Sequence, residues 1–314
     1  MNTRNTTMVS WLLLLGLIVW SCEKDLELEL KEKGEQLVLF SFLTPDSAFS
    51  VHLSKSVPHF SVDDFERIYE GNITVYKNEE IVDDFIFPFD RTWAVRDSIG
   101  ISEGDAFRVE ALDGEGHQVS GETVVPEAVP LTLADDASTI FIDQPGGAER
   151  EVFRCRLEIP DPGDENNFYQ LLVFEEICSM NGQDTTCTRT KIDYPKNDPV
   201  FYVREQEESL IGSVDFEGCF SDHLFDGEVY QLDVHLPVEY ASPPSGSSVT
   251  RKIQFVLVSH TRAYYNYLRS RVVAEYGYEL PVVDPVRIYS NVEHGLGVVA
   301  GYSASTDSLV FNGK

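Results

Sequence analysis

From Gln36 onward apolar residues fall at every second position, in short runs closed by turn residues, and a period of two dictates strands rather than a helical framework. In "FSVHLSK", Phe49, Val51 and Leu53 share one face, while Ser50, His52 and Ser54 share the other, which places His52 on a polar, solvent-facing side. "LVLFSFL" (Leu37 to Leu43) is a mostly apolar strand followed by the turn "TPDS". "ITVYKNEEIVDDF" repeats the plan with a turn near Asn78. "FRVEALDGEGHQVSGETVV" reads as a hairpin, with Phe107, Val109 and Ala111 inward and "DGEG" at the bend. Short strands at this spacing imply an antiparallel β-sandwich. "VPEAVP", Val125 to Pro130, holds two prolines in six residues and reads as a boundary between an N-terminal sandwich, residues 36–127, and a second β-rich domain, residues 128–314.

The second domain opens with "VFRCRLEI" and "FYQLLVFEEI", joined by "PDPGDENN". An acidic excursion from Asp193 to Asp226 follows, then the strands "VYQLDVHLP" and "RKIQFVLVS". One helix is expected, from Ser259 as N-cap to about Tyr276. Tyr264, Tyr267, Leu268 and Val272 fall on one face, and Gly277 can end it. The tyrosine stripe on that face reads as core packing.

The first 35 residues follow different rules. A polar start with Arg4 precedes an apolar run of thirteen residues, Met8 to Trp20. That is shorter than the roughly 20 residues a membrane-spanning helix needs. A basic start, a short apolar core and a small residue before a cleavage point make a secretory signal, here residues 1–21. Val19, Trp20 and Ser21 before Cys22 resemble the lipobox of bacterial lipoproteins, with Trp20 larger than the usual middle residue. Cys22 is therefore expected to carry lipid and to anchor the mature chain in a membrane, since two or more acyl chains hold stably where one does not. Residues 22–35 form the expected tether: Glu23 to Glu35 contains six acidic and three basic residues and no capping signal. Lys24 and Asp25, with the acids after them, resemble the export signal that sends Bacteroidota lipoproteins to the cell surface.

Charge narrows the partners. The full chain carries a formal charge of −29, and losing Arg4 with the signal leaves −30, so nucleic acid is excluded as a partner by repulsion. Beyond Cys22 four cysteines remain, Cys155, Cys178, Cys187 and Cys219, and an even count in an exported chain suggests disulfides. A two-residue turn at Gly182 and Gln183 puts Cys178 opposite Cys187 at bonding distance. Cys155 with Cys219 follows only by elimination. The C-x-x-C and Cys/His spacings of zinc sites are missing.

Four segments together carry a family resemblance: "LTPDSAFSVHLSKS", "EIPDPGDENNFYQLLV", "FSDHLFDGEVYQL" and "VRIYSNVEHGLGVVAGYS". In this order they resemble the Bacteroidota lipoprotein family known as domain of unknown function 4249, over essentially the whole mature chain. The resemblance implies an outer-membrane or surface lipoprotein of immunoglobulin-like β architecture, encoded beside TonB-dependent outer-membrane transporters. It brings no catalytic residues to carry over.

Searching for chemistry yields little. "GLGVVA", Gly295 to Ala300, fits the dinucleotide-binding pattern but lies fourteen residues from the C-terminus, with no room for the βαβ unit it must open. It reads instead as a glycine-rich entry into a last strand, Val298 to Tyr302, where glycine lets backbones approach. Seven histidines are scattered without metal-binding spacing, and His294 and His260 are the candidate bases of any cleft. The acid pairs Asp63–Asp64 and Asp83–Asp84 read as solvated loop charge. Asp161, Asp164, Glu165 and Asn167 gather oxygen ligands in one turn and are the candidate calcium ligands, though without EF-hand spacing and with a composition any tight turn selects. The expectation is a non-catalytic chain without a cofactor, anchored to the outer membrane and acting as an accessory or ligand-capturing partner of a TonB-dependent β-barrel. The alternatives are a secreted hydrolase of unfamiliar type and a structural or adhesive surface protein.

Overall fold

Period-two sequence becomes two sandwich layers sharing one long sheet. The computed structural model describes residues 35–57, 65–88, 91–143, 147–163, 165–181, 184–202, 215–278 and 287–313. The signal, Cys22 and nearly all of the tether lie outside them. The first strands are β1 (Leu37–Leu43), β2 (Phe49–Lys55), β3 (Glu66–Arg67), β4 (Gly71–Lys77), β5 (Glu80–Ile86), β6 (Trp93–Arg96), β7 (Ala106–Asp113) and β8 (Gln118–Val124). Then come β9 (Thr132–Leu133), β10 (Ser138–Asp143), β11 (Glu149–Pro160), β12 (Phe168–Asn181), β13 (Asp184–Ile192), β14 (Cys219–Ser221), β15 (Val229–Pro237) and β16 (Val249–His260). Helix α1 (Arg262–Tyr278) precedes the final strand β17 (Leu296–Asn312).

Among the described residues the strands make a nine-stranded sheet ordered β13-β12-β16-β17-β1-β2-β3, with β14 on β12 and β6 on β2. Two four-stranded sheets pack against it, one ordered β5-β4-β7-β8, the other β10-β11-β15 with β9 on β11. The described residues are therefore mainly β, in antiparallel sandwich layers with one α-helix among them, and their parallel β1–β17 pairing is the exception. One core lies between the nine-stranded sheet and β5-β4-β7-β8: Leu39, Phe49, Val51, Ile73, Val109 and their neighbours. A second, with Leu157, Leu171, Leu232 and Phe255, lies between the same sheet and β10-β11-β15. The two cores part between Val125, in the first, and Val129, in the second.

Strand β17 belongs to both layers. Leu296–Gly301 runs parallel to Val38–Leu43 of β1, and Tyr302–Asn312 continues antiparallel to Thr250–His260 of β16. Val292 and Val299 thus enter the first core, although they follow every fully buried residue of the second in sequence. Each contributes roughly 1.5–3 kcal/mol by burial. The glycines expected to permit close approach do so. A Cβ on Gly297, which sits at φ +114°, would lie 2.0 Å from the Leu39 carbonyl oxygen, and one on Gly295 would lie 2.6 Å from the Leu37 carbonyl oxygen. Asn291 acts as an extra backbone unit here: its Oδ1 accepts from the Val299 N–H at 3.0 Å, and its Nδ2 donates to the Val299 and Glu122 carbonyls at 2.8 and 3.2 Å.

The proline-containing segment after β8 cannot pair along its length, so side chains satisfy it. Ser303 and Ser305 donate to the carbonyls of Pro126 and Val129, each at 2.5 Å, and Asp307 accepts from the Leu133 N–H at 2.7 Å. These three residues alternate along β17 and present one polar face to the segment. The Val129 N–H is taken by the Ser259 hydroxyl at 3.2 Å.

That last bond corrects the helix start. Ser259 is not the cap, because β16 runs on through His260. Thr261 takes the role, its hydroxyl accepting from the Tyr264 N–H at 3.4 Å. His52 is a second correction. It is only 8% exposed, its ring packed against Phe40, Phe65 and Trp93, because helix α1 and neighbouring rings cover the outer face of β1 and β2 that alternation alone leaves to solvent. Tyr264 and Tyr267 join this layer over Phe42, so the tyrosine stripe packs. Asp83 and Asp84 lie in β5 rather than a loop, held by Arg96 at 3.2 Å and by Asn72 Nδ2 at 2.6 Å. The turn near Asn78 forms as expected, with Asn78 and Glu79 at φ 51° and 71°, the left-handed pair of a tight hairpin.

The β12–β13 register sets Cys178 against Cys187, and the two are bonded. Cys155 and Cys219 are buried thiols. Cys219 pairs in register with Gln170 and packs under Tyr265 and Leu268 of α1, whereas Cys155 belongs to the second core. They face opposite sides of the nine-stranded sheet, so the sheet itself stands between them. Burial pushes both thiols up to about 12.

Replacement of Gly297 by Ala is expected to cost on the order of 3 kcal/mol in urea unfolding, since left-handed backbone and a blocked Cβ add. Gly100→Ala, where a Cβ meets open space, is the control and should change little. Alkylation of the urea-unfolded, unreduced protein should label Cys155 and Cys219 and spare Cys178 and Cys187. Labelling of none of the four would restore the second disulfide.

Candidate functional site

Helix α1 begins directly after β16 and crosses the end of the sheet where β14 adds to β12. Phe168 pairs with Ser221 there, and Tyr169 pairs with Phe220. The alternation sends Tyr169 and Phe220 into the second core and leaves Phe168 and Ser221 facing α1. From the helix, Arg262, Tyr265, Asn266 and Arg269 fall on one side at spacings of three, four and seven residues. A short 3₁₀ turn, Pro199–Phe201, closes the far side with Val200 and Tyr202, and Asp198 caps it by accepting from the Val200 N–H at 3.1 Å. These elements enclose a cavity of about 290 Å³, joined by Asn166, Asp222 and His223. That lies at the small end of the range for small-molecule sites.

Several lining groups are held by neighbours. The Arg262 guanidinium sits over the Phe168 ring at 5.4 Å, and Phe168 packs on Tyr265 with centroids 4.7 Å apart. Arg269 donates to the Tyr265 hydroxyl at 2.7 Å and lies over Phe216 at 4.1 Å. Such stacking fixes a guanidinium while leaving its N–H edge directional. Ser221 Oγ and His223 Nδ1 are 3.0 Å apart.

Beneath the cavity the carboxylates of Asp161, Asp222 and Asp226 bring one oxygen each within 4.8 Å of one another. Asp161 accepts from the Tyr169 hydroxyl and from the Gly227 N–H at 3.0 Å, and Asp222 accepts from the Asn167 N–H at 2.6 Å. Burial, together with the charges of Asp161 and Asp226, raises the Asp222 carboxyl above the ordinary carboxylate range. Oxygen-only groups of this kind suit a hard cation. This set differs from the one expected from the turn alone. Only Asp161 is shared: Asp164 lies outside the described residues, Glu165 is exposed, and Asn167 spends its side-chain N–H on the Pro162 carbonyl. The fold recruits Asp222 and Asp226 from some 60 residues downstream, which local spacing does not report. Asp113 and Glu115 with the His117 ring nitrogen make a mixed oxygen and nitrogen group at the β7–β8 turn, where the His117 ring lies 2.9 Å from Asp113.

The histidines singled out in the sequence are not brought together. His260 is buried on the helix side of β16, beside Gln170 at 3.3 Å, and burial pulls it down to about 3, so it is neutral at physiological pH. His294 is exposed in the left-handed turn before β17. His260 pairs with Tyr302, and the strand from Leu296 to Tyr302 separates the two histidines by roughly 20 Å. The cavity residues Ser221, His223, Arg262, Asn266 and Arg269 went unread in the sequence. Their one signal was the polar stripe of α1 at Arg262, Asn266 and Arg269, on a helix otherwise rich in tyrosine.

Comparison with known proteins gives a family model described as "Domain of unknown function (DUF4249)", which matches residues 23–308. No curated protein matches the chain. Among solved structures, a two fibronectin type-III domain segment from chicken tenascin aligns over 72% of this chain and 90% of its own, with 9% identity and a TM-score of 0.21. The fold assignment above rests on the sheets themselves.

The raised Asp222 carboxyl has a definite pH signature. A folded-state value above the unfolded one gives a stability contribution that is complete at low pH and lost as pH rises through the raised value. Asp222→Asn keeps an acceptor for the Asn167 N–H and removes the charge, so it should melt higher than the parent at neutral pH. The difference should vanish below about pH 4, where carboxyls protonate. A variant that melts lower at neutral pH would show that the charge is compensated.

Proposed function

This chain belongs to the family described as domain of unknown function DUF4249, and on that premise we propose that it is a non-catalytic, lipid-anchored outer-membrane protein of the Bacteroidota, exposed at the cell surface, that captures a ligand for a TonB-dependent β-barrel transporter. The observation that carries this reading is the cavity at the start of α1, where side chains from four separate segments converge on a space of small-molecule size. Supporting it from the sequence are the lipobox ending at Cys22 and the charged tether that follows, which give a binding module reach from a membrane. A chain of charge −29 is soluble at a crowded surface and is repelled by anionic headgroups, so the anchor supplies the membrane attachment. The segment 36–127 and the segment 128–314 act in this reading as two sandwich domains, the second carrying the ligand.

A second reading has one specific observation in its favour. Ser221 and His223 lie at hydrogen-bonding distance inside the cavity, the geometry of a nucleophile beside a base, as a hydrolase would need.

Extraction in mild detergent followed by affinity capture should recover a large β-barrel protein, and the amino-terminal peptide should have the mass of triacylated Cys22. Cys22→Ala should leave the membrane fraction. Recovery of the lipoprotein alone after crosslinking would overturn the accessory role. Covalent labelling of Ser221 by a fluorophosphonate would move the assignment to the hydrolase.

A further inference from the structure

We propose that the cavity at the head of α1 is built for a sugar acid, a ligand that carries one carboxylate on a hydroxyl-rich ring. The inference deepens the ligand-capturing role and rests on it. It starts from a local contradiction: in a chain with 53 acidic and 24 basic residues, the helix face that lines the cavity presents Arg262 and Arg269 two turns apart, and the first turn of α1 holds no acidic residue. Both arginines are stacked, Arg262 on Phe168 and Arg269 on Phe216, as Arg96, Arg108 and Arg189 are on rings elsewhere; what sets this pair apart is that both line one cavity. Stacking orients a guanidinium so that its planar edge can meet a carboxylate in two parallel hydrogen bonds. Arg262 is exposed at the cavity, with its guanidinium over the Phe168 ring.

The remaining lining sets the class of anion. Asn166 and Asn266 each offer paired donors and an acceptor, and Ser221 and His223 add groups that both give and receive. A bare carboxylate can use only their donors, whereas vicinal hydroxyls use donors and acceptors in pairs. Tyr202, 61% exposed at the rim, and Phe168 at the floor offer ring faces for the C–H side of a saccharide. Asp222 places an acidic group on the same wall, which disfavours multiply charged anions and suits a single negative charge held at the arginine side. A volume near 290 Å³ accommodates one ring rather than a long chain.

The test is calorimetry on the full-length lipoprotein in detergent with D-glucuronate, D-glucose and acetate as probes. Glucuronate should bind at least tenfold more tightly than glucose or acetate. Arg262→Ala should weaken it by about tenfold or more, the scale of a charge-assisted hydrogen bond, and Asn266→Ala by a smaller factor. Arg262 is exposed, so its variant should keep the parent's melting temperature, and Asn266→Ala gives an independent check. Equal binding of glucuronate and acetate would overturn the sugar, equal binding of glucuronate and glucose would overturn the acid, and an unaffected Arg262→Ala would overturn the site. Capture of the barrel from the same preparation without glucuronate binding would reject the ligand class and keep the accessory role. Glucuronate binding without the barrel would do the reverse.

Discussion

The whole arrangement depends on the path of β17. A strand that pairs with β1 over its first six residues and with β16 over the rest must be buried on both faces for part of its length and must cross between two cores without leaving backbone groups unpaired. Every unusual feature of its sequence answers one of those demands. Gly297 removes a Cβ that would strike the Leu39 carbonyl, Val299 fills the first core, and Ser303, Ser305 and Asp307 satisfy a segment whose prolines prevent a ladder. The motif that looks like a phosphate-binding loop is thus explained by packing. Asn291 completes the arrangement by serving β8 and β17 with a single amide.

This crossing also positions the cavity. β16 and β17 are antiparallel neighbours, but β17 begins at Leu296, six residues before it meets the end of β16 at Tyr302, and α1 is the part of the long connection that packs over the outer face of the sheet. The Thr261 N–H bonded to the Gly301 carbonyl at 3.1 Å fixes where the helix starts relative to β17. The arginines of the first two turns are therefore held at the edge where β14 ends, independent of any side-chain pairing between them.

What could be read in the sequence is what short-range chemistry decides. The turn at Asn78, the inward faces of Phe107, Val109 and Ala111, and the Cys178–Cys187 pairing all follow from alternation and two-residue turns. What could not be read depends on contacts distant along the chain. His52 sits on the polar side of its own strand, yet a helix more than 200 residues later helps bury that side. Cys155 and Cys219 obey an even count, but the faces their strands present to one sheet keep them apart. The carboxylate group joins Asp161 to Asp222 and Asp226 through the pairing of β14 with β12, a three-residue strand inside an acidic stretch with no alternation to betray it. Ser259 reads as a cap because cap residues and buried hydroxyls in strands share a composition, and only the Val129 N–H distinguishes them.

The parallel pairing of β1 and β17 has a mechanical side. The N-terminal end of β1 is where any upstream segment would pull. In a parallel pair with β17 running on into the second sandwich, such a pull runs along the strands and loads the β1–β17 hydrogen bonds together in shear instead of peeling them one at a time. β1 is flanked on its other side by β2, so the first strand is gripped along both edges. A load applied at the start of β1 would thus pass directly into the β1–β17 seam.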